Sequence, residues 1–257
     1  MHLLAITDLL ATLALGAALG FMGGLFGIGG GIIAIPVLAL AFSMNQAMAQ
    51  GTSLAMMVPV LIVGWWRYNR RHPVPWRPAL QIGLLASATT YLVALFATRL
   101  EPNILRAVFG AFLLLLATRM LLQKPAASAA EVTSKLNLRL MPLVGILGGA
   151  SMGLLGIGGG LIATPIFTSI FGQRQTVAQS LSLALVTPCS IIALLTYGAA
   201  DSVDWSMGLP MAIGGLLTVS AGVALAHRLP ERKMRMAFAW MILLTAIWLL
   251  LRPVFIK

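Results

Sequence analysis

The sequence predicts an all-α polytopic membrane protein made of two inverted-topology repeats, each with a glycine-broken half-helix or re-entrant element. About 8–10 membrane elements are expected. Three observations carry this. The 257 residues are 60% hydrophobic and only 9% charged, with a mean hydropathy of +0.97, whereas soluble domains carry about 25% charged residues. Two apolar runs are too long for one crossing, and each is interrupted by glycines. The second half repeats the first, yet corresponding loops have opposite charge character.

The apolar runs cover residues 3–42, 47–66, 78–98, 104–122, 141–171, 175–197, 207–226 and 235–251. A crossing needs about 20 residues, and most runs fit one. Residues 3–42 would make a helix of about 60 Å, and residues 141–171 are also too long. The first contains Gly23-Gly24-Leu25-Phe26-Gly27-Ile28-Gly29-Gly30-Gly31 and the fifth Gly153-Leu154-Leu155-Gly156-Ile157-Gly158-Gly159-Gly160. Each helical glycine costs about 1 kcal/mol against alanine, so such clusters should break the helix. The piece from Gly31 to Phe42 is about 18 Å long as helix, too short to span comfortably. The N-terminus lacks the positive flank of a signal peptide and is expected to be retained.

At an offset of 129 residues, Gly27–Pro36 lies over Gly156–Pro165 with eight identities in ten. The register continues without gaps. Gln46, Ala49, Gln50, Ser53, Leu54, Ala55 and Pro59 meet Gln175, Ala178, Gln179, Ser182, Leu183, Ala184 and Pro188. Further on, Trp76 meets Trp205, Arg99 meets Arg228 and Arg106 meets Arg235. The chain therefore divides into a first repeat, 1–122, a cytoplasmic linker, 123–140, and a second repeat, 141–257.

Arg67, Arg70, Arg71 and Arg77 place the loop after the third element in the cytoplasm. Its counterpart, Gly198–Ser206, has no Lys or Arg and carries Asp201 and Asp204. Opposite character at equivalent loops requires an odd number of crossings per half. Five elements per half put thirteen of the seventeen cations inside, with Arg99, Arg106, Arg252, Lys257 and both termini outside. The expected location is the cell (inner or plasma) membrane. The net charge of +11 is then topology and contact with anionic lipid, not nucleic-acid binding.

Discontinuous helices in inverted repeats are the plan of many secondary transporters, with the site near mid-membrane. A glycine-rich break that leads into a helix offers N–H groups and a positive dipole end to an anion. Lys, Arg and His are absent from the middle of every expected span, with Arg106, Arg119 and Arg235 close to span ends, so an anionic cargo at mid-membrane would be held by backbone amides and neutral side chains. The backbone candidates are Gly29, Gly30, Gly31, Gly158, Gly159 and Gly160. The side-chain candidates are Gln46, Gln50 and Ser53, spaced i, i+4, i+7 on one helical face, and their repeats Gln175, Gln179 and Ser182. The bland readings stay open beside these. Glycine clusters also serve close helix packing, and Gln50 and Gln179 also suit interhelical hydrogen bonds. Gly16/Gly20 and Gly145/Gly149/Gly153 read as packing pairs, four tryptophans near span ends as interfacial anchors, and the methionines as filler. A lone Cys189 excludes a disulfide scaffold. No catalytic set, metal set or cofactor is expected, so the chain reads as not an enzyme.

The paired Phe26-Gly27-Ile28-Gly29-Gly30-Gly31…Pro36 and Leu155-Gly156-Ile157-Gly158-Gly159-Gly160…Pro165 segments resemble the duplicated signature of the sulfite exporter TauE/SafE family. Asn45–Ser53 and its repeat strengthen the likeness, which extends over nearly the whole chain. The resemblance implies a secondary transporter of small sulfur-containing anions (sulfite, sulfoacetate or other sulfonates), with export the expected direction. The competing readings are a membrane-embedded enzyme or assembly subunit using the same cavity for a lipid or cofactor, and a passive channel.

Overall fold

Long apolar runs of good helix formers can satisfy their backbone in lipid only within themselves, so they fold as helices. The computed structural model describes residues 2–26, 30–71, 74, 76–122, 138–173, 175–226 and 231–255. Among these every regular element is helical. The order is α1 (His2–Phe26), α2 (Gly31–Ala41), α3 (Gln46–Arg71), α4 (Trp76–Ala97), α5 (Pro102–Leu122), a 3-10 turn (Leu138–Leu143), α6 (Val144–Leu155), α7 (Gly160–Ser169), α8 (Gln175–Ala199), α9 (Trp205–Ala226) and α10 (Glu231–Phe255). Within the described residues, five helices are long and apolar enough to cross a membrane: those containing Ile6–Leu25, Gln46–Trp66, Trp76–Ala97, Pro102–Arg119 and Val177–Ala199. The protein is thus a multi-pass membrane protein.

Burial sorts these helices. The hydrophobic windows of α3 and α8 are 67% and 61% buried, against 22% to 28% for α1, α4 and α5. The outer helices turn Leu84, Leu92, Phe96, Leu115, Leu217 and Leu244 outward, a surface that only lipid accommodates. At the Arg-rich ends, the Arg70 guanidinium stacks 4.0 Å from the Trp66 ring and Arg77 lies 5.5 Å from that of Trp76. Such pairs suit the headgroup layer.

Small residues set the helix pairing, as lipid offers no hydrophobic drive between helices. Helix α1 packs along α9, and α6 packs along α4. Gly16, Gly20 and Gly24 face the backbones of Met211, Gly215 and Val219. Gly145, Gly149 and Gly153 face those of Ile82, Ala86 and Thr90. Adding 129 carries each glycine of α1 onto one of α6, and each partner on α4 onto one on α9. Crossed contacts of this kind, i on j and the equivalent of i on the equivalent of j, are what a two-fold relation produces. The remaining packing closes the set: α3 on α8, α5 on α10, α3 on α9, α4 on α8, α2 on α3 and α7 on α8. Thr218 Oγ1 donates to the Ala17 carbonyl at 2.6 Å and Thr90 Oγ1 to that of Gly149 at 3.0 Å, one such bond in each glycine-lined pair.

Candidate functional site

Helices α2 and α7 are short, 11 and 10 residues, or roughly 15–17 Å of helix. Each starts on a glycine, Gly31 and Gly160, and neither has a side-chain cap at its N-terminus. In α2 the N–H groups of Ile33 and Ala34 donate to the Gly30 carbonyl, at 3.1 and 2.9 Å. In α7 those of Ile162 and Ala163 donate to the Gly159 carbonyl, at 3.2 and 2.8 Å. The N-terminal end of a helix carries unpaired donors and a partial positive charge; here Gly31 is buried and Gly160 is half-buried. Gly30 (φ 83) and Gly158 (φ 86) take left-handed backbone, and Gly156 (φ 67) ends α6. A side chain at any of the three would be strained.

Both starts lie against the middle of the packed pair α3/α8, Gly31 on Met57 and Gly160 on Val186. Gly31 lies against the Met57 thioether, and a Cβ there would also fall 3.3 Å from the Gly156 carbonyl oxygen. A Cβ on Gly160 would fall 3.5 Å from Val186 Cγ2, and one on Gly158 3.5 Å from Val186 Cγ1 and 3.9 Å from Met57 Cε. Met57 and Val186 occupy equivalent positions, 129 residues apart. The glycine segments of the two halves therefore touch one another. Gly159 is different: a Cβ there would fall 2.6 Å from Gly148 Cα, so it serves the close packing of α7 on α6.

The polar stripe of α3 is fully interior. Gln46, Gln50 and Ser53 are 2%, 0% and 0% exposed. Gln50 rests on Gly156, whose Cβ position is 3.3 Å from Gln50 Cβ. Its Oε1 accepts a 2.7 Å hydrogen bond from the Tyr197 hydroxyl of α8, which also approaches the Gly153 carbonyl at 3.1 Å. Its Nε2 has no partner among the described residues, and neither amide atom of Gln46 has one. Orphaned buried amides are costly. Ser53 Oγ reaches only the Met57 sulfur, at 3.9 Å. In the second repeat, Ser182 Oγ accepts from Thr164 Oγ1 at 3.0 Å and lies 3.4 Å from the Gly160 carbonyl. Thr187 Oγ1, one residue beyond Val186, is buried without a partner among the described residues. Gln179 is half-buried and not without a partner.

Of the residues singled out from sequence, Gly31, Gln50, Gly158 and Gly160 are thus brought into one neighbourhood, with Ser53 and Ser182 beside them. Gln46 lies one helical turn nearer the α3 N-terminus. Gly29 and the side chain of Gln175 lie outside the described residues. Sequence reasoning missed Tyr197 and Met57. Tyr197 had a signal, since the repeat places Tyr68 at its equivalent. Tyr197→Phe should lower stability by only about 1 kcal/mol, the scale of interhelical hydrogen bonds in membranes. Thermal unfolding in detergent measures this.

A sequence model for the sulfite exporter TauE/SafE family matches residues 12–249. Three curated relatives match across almost their whole lengths, and each is described as a probable membrane transporter protein. One from Xylella fastidiosa (strain Temecula1) is 30% identical over 97% of this chain and 97% of its own. One from Haemophilus influenzae is 27% identical over 96% and 99%. One from Methanocaldococcus jannaschii is 25% identical over 92% and 93%. The duplicated glycine segments, the polar stripe and these matches lead to one conclusion: the chain belongs to the sulfite exporter TauE/SafE family of membrane transporters.

Proposed function

We propose that the protein exports a small sulfur-containing anion, such as sulfite, sulfoacetate or another sulfonate, as a secondary transporter. The anion is held between the starts of α2 and α7, beside the α3/α8 pair, by the N–H groups of Gly31 and Gly160 and the amide of Gln50. The observation that carries this reading is the pair of uncapped helix N-termini, one buried and one half-buried, beside a region that also holds Gln50 Nε2, unpartnered among the described residues. Tetrahedral and pyramidal oxyanions accept several N–H donors at once, and helix N-termini suit them without a formal cation. Carboxylates are absent from the described part of this region, so nothing there repels an anion.

We infer also that residues 1–122 and 141–257 are inverted repeats. The Arg67–Arg77 loop lies in the cytoplasm and both termini lie outside. The crossed glycine contacts of α1 with α9 and of α6 with α4 support the inversion. In this frame alternating access is one repeat rocking against the other about α3 and α8. An inside-negative potential favours anion efflux by about 2.3 kcal/mol per charge per 100 mV. Efflux therefore needs no coupled ion.

The test is flux from proteoliposomes. Sulfite or sulfoacetate efflux should rise with an inside-negative potential and saturate with internal anion. Flux no faster than in protein-free vesicles, across sulfite, sulfoacetate and sulfate, would sink the reading.

A further inference from the structure

A cavity of about 330 Å³ opens between the α2–α3 turn and the start of α5. It is lined by Ser43, Asn45 and Gln46 on one side and by Asn103 and Arg106 on the other, with Leu249 of α10 behind. At about 30 Å³ per water, it has room for an oxyanion with several waters, or for a short sulfonate. It lies at the Gln46 end of α3, opposite the end that carries Arg70.

The lining is built for negative charge. The N-termini of two long helices, α3 and α5, border it. Arg106 spends one N–H on Asn103 Oδ1, 2.9 Å away, and none of its other donors has a partner among the described residues. Asn45 Oδ1 caps α3 by accepting from the Met48 N–H at 2.8 Å. The Glu101 carboxylate takes a 3.2 Å bond from Asn103 Nδ2 and does not line the cavity. The independent sign of a ligand is Gln46. It is 2% exposed, it lines the cavity, and both its amide oxygen and nitrogen lack partners. One turn further into α3, about 6 Å along the axis, comes Gln50 with its own unpartnered nitrogen.

We propose that this cavity is a second oxyanion site, an outer vestibule in which Arg106 and Gln46 hold the departing anion before release. The inference rests on the transport reading above and adds a residue and a place to it. Arg106 supplies the charge that the interior lacks, at the one end where an exported anion must leave. Gln46 and Gln50 form successive neutral rungs between that charge and the glycine segments.

The test uses a single probe thiol. Native Cys189 is fully buried, so Ser43→Cys on the cavity wall is the accessible thiol. Sulfite attacks thiol reagents, so the probe ligands are sulfate and 2-hydroxyethanesulfonate. Labelling of the full-length S43C protein by a membrane-impermeant maleimide is timed in detergent and in oriented vesicles. Saturating anion should slow labelling roughly tenfold, and S43C in vesicles should label only from the face opposite the Arg70 end. Adding Arg106→Gln should remove the protection, Arg106→Lys should restore part of it, and Arg99→Gln, at an exposed residue off the cavity wall, should leave it intact. Equal labelling rates with and without anion overturn the proposal, as does protection that persists in R106Q. Protection only by anionic lipid added to the detergent assigns the cavity to a headgroup and also overturns it. These outcomes leave the flux assay untouched. Flux at the protein-free level instead removes the transport reading itself.

Discussion

Gln50→Leu is expected to lower sulfite efflux by roughly tenfold to a hundredfold while leaving the protein folded. The size follows from one hydrogen bond to a charged ligand, worth about 1.5–3 kcal/mol. The fold survives because leucine fills similar volume in a site that is wholly buried, and the Tyr197 hydroxyl keeps the Gly153 carbonyl as acceptor, 3.1 Å away. Gln50→Glu should abolish flux, since a carboxylate at this depth would repel the anion. The competing role for Gln50 is the 2.7 Å bond from Tyr197 alone. A double-mutant cycle separates the two. If the Tyr197 bond were the whole role, Tyr197→Phe would reduce flux as much as Gln50→Leu, and the double variant would lose no more. With Gln50 as an anion ligand, Tyr197→Phe retains most of the flux. Flux per folded molecule, with folding checked by size-exclusion chromatography, decides between them.

Gly20→Val and Gly149→Val are expected to prevent folding, each by more than about 3 kcal/mol. Overpacking a core usually costs about 1–3 kcal/mol because side chains yield. Here the obstacle is backbone. A Cβ on Gly20 would meet Gly215 Cα, and one on Gly149 would fall 2.9 Å from Ala86 Cα. Neither helix can retreat without opening the α1/α9 or the α4/α6 seam. The two variants should fail to a similar degree, as they occupy equivalent places 129 residues apart. Gly64→Ala is the contrast. Nothing lies within 4 Å of a Cβ at Gly64, so alanine should be neutral or stabilise α3 by up to about 1 kcal/mol through helix propensity. Monodisperse yield and thermal unfolding measure all three.

Much of this architecture was readable from the sequence, and the unreadable part has a definite cause. Hydropathy marks the helices because the bilayer imposes both length and composition on a crossing. The small-residue pattern at Gly16/Gly20 and Gly145/Gly149/Gly153 announced close packing, but periodicity names a face and not its partner. That α1 runs along α9, across the chain from itself, comes only with the fold. The glycine pentads look uniform in sequence and are not uniform in space. Gly31 and Gly160 start short helices that rest on α3 and α8, Gly30 and Gly158 supply left-handed turns, and Gly159 is held against Gly148. A valine at Gly159 would therefore report on packing rather than on transport. Met57 read as filler, since methionine fits almost any apolar gap, yet it lies on the glycine segments of both halves. Gln46 and Gln50 share one face of α3, as their spacing requires. Their separate surroundings, a cavity beside α5 and a glycine break after α6, depend on helices that no local pattern specifies.

Anomalous diffraction from crystals grown with selenite or 2-bromoethanesulfonate, heavy-atom counterparts of sulfite and of a short sulfonate, tests the anion assignment most directly. A peak is expected between the Gly156–Gly160 segment and the side chain of Gln50, with anion oxygens about 3 Å from the Gly160 N–H and from Gln50 Nε2. An interior region without a peak, in protein that still exports the same anion, would contradict it.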